Sequence, residues 1–284
     1  MMCFEQMQRE GVSLTTFTYV SALKACGISL DTEKGKEIHS QITRKGLLET
    51  DDLVGNMLVD MYGRCGSLAE AQVVFDKLLV HDVISWTALI VGYVKCQSCE
   101  KALNLYKRMQ LEGVCPNTVT YICVLKACSA IGSLTTGEEI HAEVYKQGLL
   151  EGNFVLGTAV VDMYVKCGAL DKAMKVLDEL PTRNAATWNA IIGGYAHHGL
   201  GYEALNFFQR MQDEGFSPNE ITFVCILKAC GSIRAIDKGK QIHDEIVSRE
   251  LLEKHVILGN ALVDMYAKCG MLVKALEVLK GLPE

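Results

Sequence analysis

The chain has 284 residues, of which 49% are hydrophobic, and a formal net charge of −6 with only four prolines. That hydrophobic content suffices for a continuous core. The scarcity of alternating β-branched runs excludes an all-β chain, and the acidic balance runs against the basic footprint usual in nucleic-acid-binding domains. No apolar run reaches the length of a membrane span, and the start carries neither a charged-then-apolar signal segment nor an Arg/Ser-rich transit segment.

Internal repetition decides the architecture. GNMLVDMYGRCG at 55–66 returns as GTAVVDMYVKCG at 157–168 and GNALVDMYAKCG at 259–270, a step of 102 residues each time. LKAC at 23, 125 and 227 keeps the same step, as do Ile-His pairs ending at His39, His141 and His243, and Trp86 with Trp188. A fixed period means stacked supersecondary units, each touching only its neighbours.

In chain order, residues 1–15 read as the tail of a 35-residue unit. MMCFEQMQREGV matches QRMQDEGF at 209–216, so the chain is expected to be a piece of a longer repeat protein. Residues 16–51 form a 36-residue unit. Residues 52–82 form a 31-residue unit, with Leu53, Met57, Leu58, Met61 and Tyr62 on one helical stripe and Leu68, Ala71, Val74, Phe75 and Leu78 on a second. The i, i+3, i+4 spacing in both halves predicts paired helices. Residues 83–117 form a 35-residue unit closing on Gly113 and Cys115-Pro116-Asn117, a helix stop followed by a turn. The cycle continues through 118–153, 154–184, 185–219, 220–255 and an incomplete 256–284. Two-helix units of this size cannot bury their apolar faces alone, so the expected fold class is all-α: a right-handed α-solenoid of stacked helix-turn-helix repeats.

VISWTALIVGYV, EKALNLYKRMQLEGVCPN, LKAC…IH and GNALVDMYAKCGML resemble pentatricopeptide repeats. The 35-, 36- and 31-residue units resemble the subfamily in which P, L and S motifs rotate, and the resemblance covers the whole chain. It implies a land-plant organellar protein, in mitochondrion or chloroplast, that binds single-stranded RNA with one base per repeat, as part of an RNA-editing or RNA-processing factor. Other editing-complex proteins are then possible partners.

The resemblance also implies site residues. The fifth and last residues of a unit read the base, giving Asn56 with Asp82 (U), Thr87 with Asn117 (A), Thr158 with Asn184 (A), Asn189 with Asn219 (a pyrimidine), and Asn260 alone. The second residues Leu53, Ile84, Val155, Ala186 and Ile257 wedge between bases. From residue 52 onward the expected target is 5′-UAnAYnY-3′. Small amides and hydroxyls can both donate to and accept from a Watson–Crick edge. Asn and Thr at a helix start are equally good caps, and that alternative stays open. The 36-residue units carry Val20, Ile122 and Val224 at the fifth position and Asp51, Asn153 and His255 at the last, so they are expected to act as spacers. Arg64, Lys95, Lys166, His197 and Lys268 recur at the thirteenth residue of the reading units, where they could track phosphates within an acidic protein. The alternative for these is a solvated cation favoured by the helix dipole.

Twelve cysteines recur mostly at single repeat positions. We expect structural thiols in a reducing compartment, each facing its own repeat's packing. His141-Ala-Glu143 and His243-Asp-Glu245 echo the H-x-E of zinc deaminases. However, Cys96 and Cys99 lie upstream of both, and the first copy reads His39-Ser-Gln41. No catalytic site, metal, cofactor or small-molecule substrate is therefore expected in this chain, and a deaminase domain would lie in a longer protein. Trp86 and Trp188 are read as core rather than as stacking platforms. The rival from another class is a helical-repeat scaffold holding a protein partner, supported by the acidic charge and the apolar fifth residues of the longer units.

Overall fold

A computed structural model describes residues 2–48 and 51–282. Seventeen α-helices and no strand occur among these residues. They fall into two compact bodies divided between Ser133 and Leu134. The first contains α1 (Met2–Arg9), α2 (Thr16–Ser29), α3 (Thr32–Arg44), α4 (Asp52–Arg64), α5 (Leu68–Lys77), α6 (Val83–Lys95), α7 (Cys99–Leu111) and α8 (Thr118–Ile131). The second contains α9 (Leu134–Lys146), α10 (Phe154–Lys166), α11 (Leu170–Glu179), α12 (Ala185–His197), α13 (Gly201–Asp213), α14 (Glu220–Ser232), α15 (Ile236–Ser248), α16 (Val256–Lys268) and α17 (Leu272–Lys280).

Within the first body α2, α4, α6 and α8 pack side by side in succession. The intervening α3, α5 and α7 form a second layer, each touching the helix that follows it. The second body repeats this, with α10, α12, α14 and α16 in one row and α9, α11, α13 and α15 in the other. Each body is thus a solenoid segment whose core lies between the two rows.

The thrice-repeated stretch shows why its residues recur. Gly55 faces Leu78 of its own hairpin so closely that a β-carbon would lie 2.3 Å from Leu78 Cδ2; Gly157 against Leu180 and Gly259 against Leu282 repeat this at 2.7 and 2.2 Å. Met61, fully buried, fills the space left by Gly35 in the preceding hairpin, where a β-carbon would stand 2.6 Å from its sulfur. Met163 on Gly137 and Met265 on Gly239 do the same. The hydroxyls of Tyr62, Tyr164 and Tyr266 meet Nδ1 of His39, His141 and His243 at 3.0, 3.0 and 2.9 Å. Gly66, Gly168 and Gly270 end the helix at φ +78°, +76° and +78°, a region that other residues enter only at a cost.

All twelve cysteines are free thiols. Their packing corrects one expectation: Cys65 and Cys269 reach the carbonyls of Cys26 and Cys230 in the preceding hairpin, at 3.9 and 4.0 Å. They thereby touch the neighbouring repeat as well as their own, where each thiol also meets the sulfur of Met61 or Met265 at 3.9 Å. The repeated histidines are half-buried partners of tyrosines, and no cluster of three metal-ligating side chains occurs among the described residues. Trp86 and Trp188 are fully buried, with the guanidinium carbons of Arg108 and Arg210 at 5.3 and 5.5 Å from the ring centroids.

Candidate nucleic-acid interface

The first helix of each hairpin from α2 to α14 opens at a capping residue, whereas His255 before α16 makes no side-chain cap bond. Asp82, Asn117, Asn184 and Asn219 all sit in extended backbone, and Oδ1 of each accepts an N–H of the helix that follows. Capping is therefore real at every proposed last position. It also fixes each side chain's orientation. With Oδ1 of Asn117, Asn184 and Asn219 occupied by the N–H of Thr120, Thr187 and Thr222, at 2.9, 2.8 and 3.0 Å, their Nδ2 groups are left as donors. Asp82 spends Oδ1 on the N–H groups of Ile84 and Ser85, at 3.0 and 2.8 Å, while Oδ2 accepts one bond, from Asn56 Nδ2 at 3.1 Å, and retains a second lone pair.

The fifth residues are not caps. Each lies one helical turn inside the first helix, and in four units it couples, directly or through one threonine, to the last-position cap of its own unit. Asn56 Nδ2 donates to Asp82 Oδ1 and Oδ2 at 3.2 and 3.1 Å. Asn189 Nδ2 donates to Asn219 Oδ1 at 3.1 Å, while the Thr222 hydroxyl donates to Asn189 Oδ1 at 2.6 Å. Where the fifth residue is threonine, a buried threonine bridges the gap. Thr120 donates to Asn117 Oδ1 (3.0 Å) and so accepts from Thr87 (2.7 Å). Thr187 likewise donates to Asn184 Oδ1 (3.0 Å), with Thr158 Oγ1 at 2.7 Å. The bridging threonines are fully buried and sit at a register that the sequence reading passed over. The signal was present, since Asn-x-x-Thr recurs at 117–120, 184–187 and 219–222. Asn56 Oδ1 is buried with no hydrogen-bond partner. Asn260 is exposed, and the last position of its unit falls outside the described residues.

The second residues project beside these pairs. Leu53, Ile84, Val155 and Ile257 are about half exposed, and Ala186 is exposed as well. Phe17, Val119 and Ile221 hold the same register in the 36-residue units and are equally bare. They were missed because the reading set those units aside as spacers. In the first body, Leu53, Asn56, Ile84, Thr87, Asn117 and Val119 line one groove of about 310 Å³ with Arg64 at its edge. In the second body, Asp162, Lys166, Asn189, Gly193 and His197 line another of about 420 Å³. The fifth residues of the longer units, Val20, Ile122 and Val224, are half-buried.

The thirteenth-position cations differ from one another. Arg64, Lys166 and Lys268 each pair with an aspartate one turn back: Asp60, Asp162 and Asp264, at 2.6, 2.8 and 2.6 Å. Lys95 is exposed and unpaired among the described residues, and His197 Nδ1 lies 3.1 Å from Lys228 Nζ.

Two sequence-family profiles match the chain. One, described as the PPR repeat family, covers residues 81–130 and 183–232; the other, described as the PPR repeat, covers 56–83, 158–184 and 260–284. A chloroplastic pentatricopeptide repeat-containing protein of Arabidopsis thaliana is 35% identical over 268 residues, which is 94% of this chain and 43% of that protein. A second from the same plant is 37% identical over 274 residues, 96% of this chain and 48% of the relative. The chain thus spans less than half the length of these relatives. Among solved structures, the pentatricopeptide repeat protein PPR10 in complex with an 18-nucleotide psaJ RNA element shares the fold. Its TM-score is 0.81 at 20% identity, over 97% of this chain and 41% of that one. On the matched profiles and the helical-hairpin fold, this chain belongs to the pentatricopeptide repeat family.

Proposed function

We propose that the chain binds single-stranded RNA, one base per 31- or 35-residue unit, as the recognition part of an organellar factor of the subfamily with rotating P, L and S motifs. The observation that carries this reading is the coupling of fifth and last residues in four units. In each, a fixed polar pair lies beside an exposed apolar residue able to slide between two bases. Base–side-chain stacking and edge contacts are each worth roughly 1–3 kcal/mol, so four pairs suit modest affinity with real sequence preference.

The orientation imposed by capping supports the base assignments. A free amide Nδ2 at Asn117 or Asn184 suits the N1 acceptor of adenine, and at Asn219 the N3 acceptor of cytosine. The carboxylate of Asp82 suits the N3–H of uracil. With the chain running along RNA 5′ to 3′, the target is 5′-UAnAYnY-3′. Relatives named chloroplastic and mitochondrial support an organellar site of action. Editing is the role we favour, with the chemistry supplied by a domain or partner beyond these repeats.

Titration of the purified chain against UAnAYnY, a shuffled strand of equal composition and the duplexed form tests the reading. Preference for the single-stranded ordered target is expected. Equal binding to the shuffled strand would remove the base assignments. No binding at low salt by the folded chain would instead favour a protein-binding scaffold, which the net charge of −6 and the apolar fifth residues of the longer units would suit.

A further inference from the structure

We propose that the 36-residue units, which lack a base-reading side chain, hold the RNA backbone instead, through Lys24, Lys126 and Lys228 at their ninth position. This rests on the RNA-binding reading above and adds a division of labour among the units.

The ninth residue lies one and two turns beyond the fifth and second on the same helix face. That face is the bare one: Phe17, Val119 and Ile221 at the second position are exposed, and so are all three lysines. Unit type decides what stands at the ninth position. The 31-residue units carry Asp60, Asp162 and Asp264, and the 35-residue units carry the uncharged Val91 and Gly193. Each aspartate binds the cation of its own helix, so the groove-facing charge of every 31-residue unit cancels internally. A cation already held at 2.6–2.8 Å by a carboxylate must give up that partner to take a phosphate, and the exchange gains little.

The ninth-position lysines have no such partner. Lys24, Lys126 and Lys228 make no ion pair among the described residues, and Lys228 Nζ lies 3.1 Å from Nδ1 of His197. Two of them converge with a thirteenth-position base of the preceding 35-residue unit. Lys95 and Lys126 both lie in the neighbourhood of the Cys123 thiol, whose pKa is raised by burial. Lys228 meets His197 across the next such junction. Lysines without a carboxylate partner therefore stand where a 35-residue unit meets a 36-residue unit, in a chain whose overall charge is negative. Exposed cations without counter-charges are those from which phosphate binding releases solution anions, and onto which RNA can displace its own counterions.

The experiment compares two variants with the parent chain, each shown folded by circular dichroism. One carries Lys24→Gln, Lys126→Gln and Lys228→Gln. The other neutralises both members of each internal pair: Asp60→Asn with Arg64→Gln, Asp162→Asn with Lys166→Gln, and Asp264→Asn with Lys268→Gln. Binding of the single-stranded UAnAYnY oligonucleotide is titrated between roughly 50 and 200 mM salt. Each phosphate contact in a single strand contributes about 0.7 to the slope of log affinity against log salt. The lysine variant should therefore lose about 2 from that slope, with its preference over the shuffled strand unchanged. The pair-neutralised variant should lose less of that slope than the lysine variant. A lysine variant with an undiminished slope, or a larger loss in the pair-neutralised variant, overturns the proposal while leaving RNA binding intact. A parent chain that does not bind RNA overturns the underlying reading as well.

Discussion

Exchanging one reading pair for another tests the interface at a single base. In the 154–184 unit, Asn184 caps α12 through Oδ1 and presents Nδ2, with Thr158 joined to it through Thr187. Thr158→Asn combined with Asn184→Asp reproduces the Asn56–Asp82 pair, in which Asn56 Nδ2 donates to both carboxylate oxygens. Aspartate caps as well as asparagine, and Asp82 already does so at the same register. We therefore expect the unfolding free energy to change by less than about 1 kcal/mol. The chemistry presented to the base inverts: a donor facing adenine N1 becomes an acceptor that repels N1 and suits uracil N3–H. With a base contact worth about 1–3 kcal/mol and about 1.4 kcal/mol per tenfold, the A-over-U affinity ratio at the fourth base should swing by at least about tenfold toward U. Fluorescence anisotropy with two oligonucleotides differing only at that base reads the ratio. A folded variant that binds as tightly as the parent and keeps its preference for A would refute the assignment of this pair.

Other consequences concern stability. A β-carbon on Gly92 would lie 2.9 Å from the Gly63 Cα, where only backbone can give way. Gly92→Ala should therefore separate α4 from α6 and cost about 1–3 kcal/mol in urea unfolding; a neutral result would contradict the close helix contact. Gln97 holds φ +58° at the position where Gly199 stands in the next 35-residue unit. Gln97→Gly should stabilise by up to about 1 kcal/mol, and a lowered thermal midpoint would count against strain there. Burial holds His39, His141 and His243 below the usual imidazole pKa. The unfolded chain thus takes up protons first as pH falls through about 6.5, and stability should decline there. Replacing the three by Gln should flatten that slope. At the other end, burial pushes Tyr62 and Tyr164 up to about 12. Their contribution is complete below the unfolded value near 10 and is lost as pH rises from there toward 12, which denaturation at pH 9 and 11 would detect.

The fold was legible because its period is long and unbroken. Repeated Gly, Met, Tyr and Cys positions report contacts between neighbours, and such contacts recur only if the hairpins stack alike. The direction of those contacts was harder to read. Spacing placed Cys65 and Cys269 within their repeats, where they do meet Met61 and Met265, but it did not show that the thiols also reach the carbonyls of the preceding hairpin. At the candidate interface, register located Asn56, Thr87, Thr158 and Asn189. It did not reveal that buried Thr120, Thr187 and Thr222 bridge or brace the pairs, since a threonine at a helix start reads as an ordinary capping box. The thirteenth-position cations looked alike in sequence. Only the 2.6–2.8 Å contacts separate the three bound to aspartate from the exposed Lys95.

Because Asp82, Asn117, Asn184 and Asn219, the last residues of their units, each cap the helix of the next, one side chain serves two masters. A residue that is also to cap the helix there is limited to the short side chains that accept a backbone N–H. Arginine, glutamine or an aromatic ring would offer a base more surface, yet would forgo the cap, as His255 does at the start of α16. The alphabet available for recognition is thus inherited from the alphabet of helix initiation. Exchanges within that alphabet, such as asparagine for aspartate, are nearly free in folding terms. Such an array can change its target one base at a time without passing through an unfolded intermediate sequence.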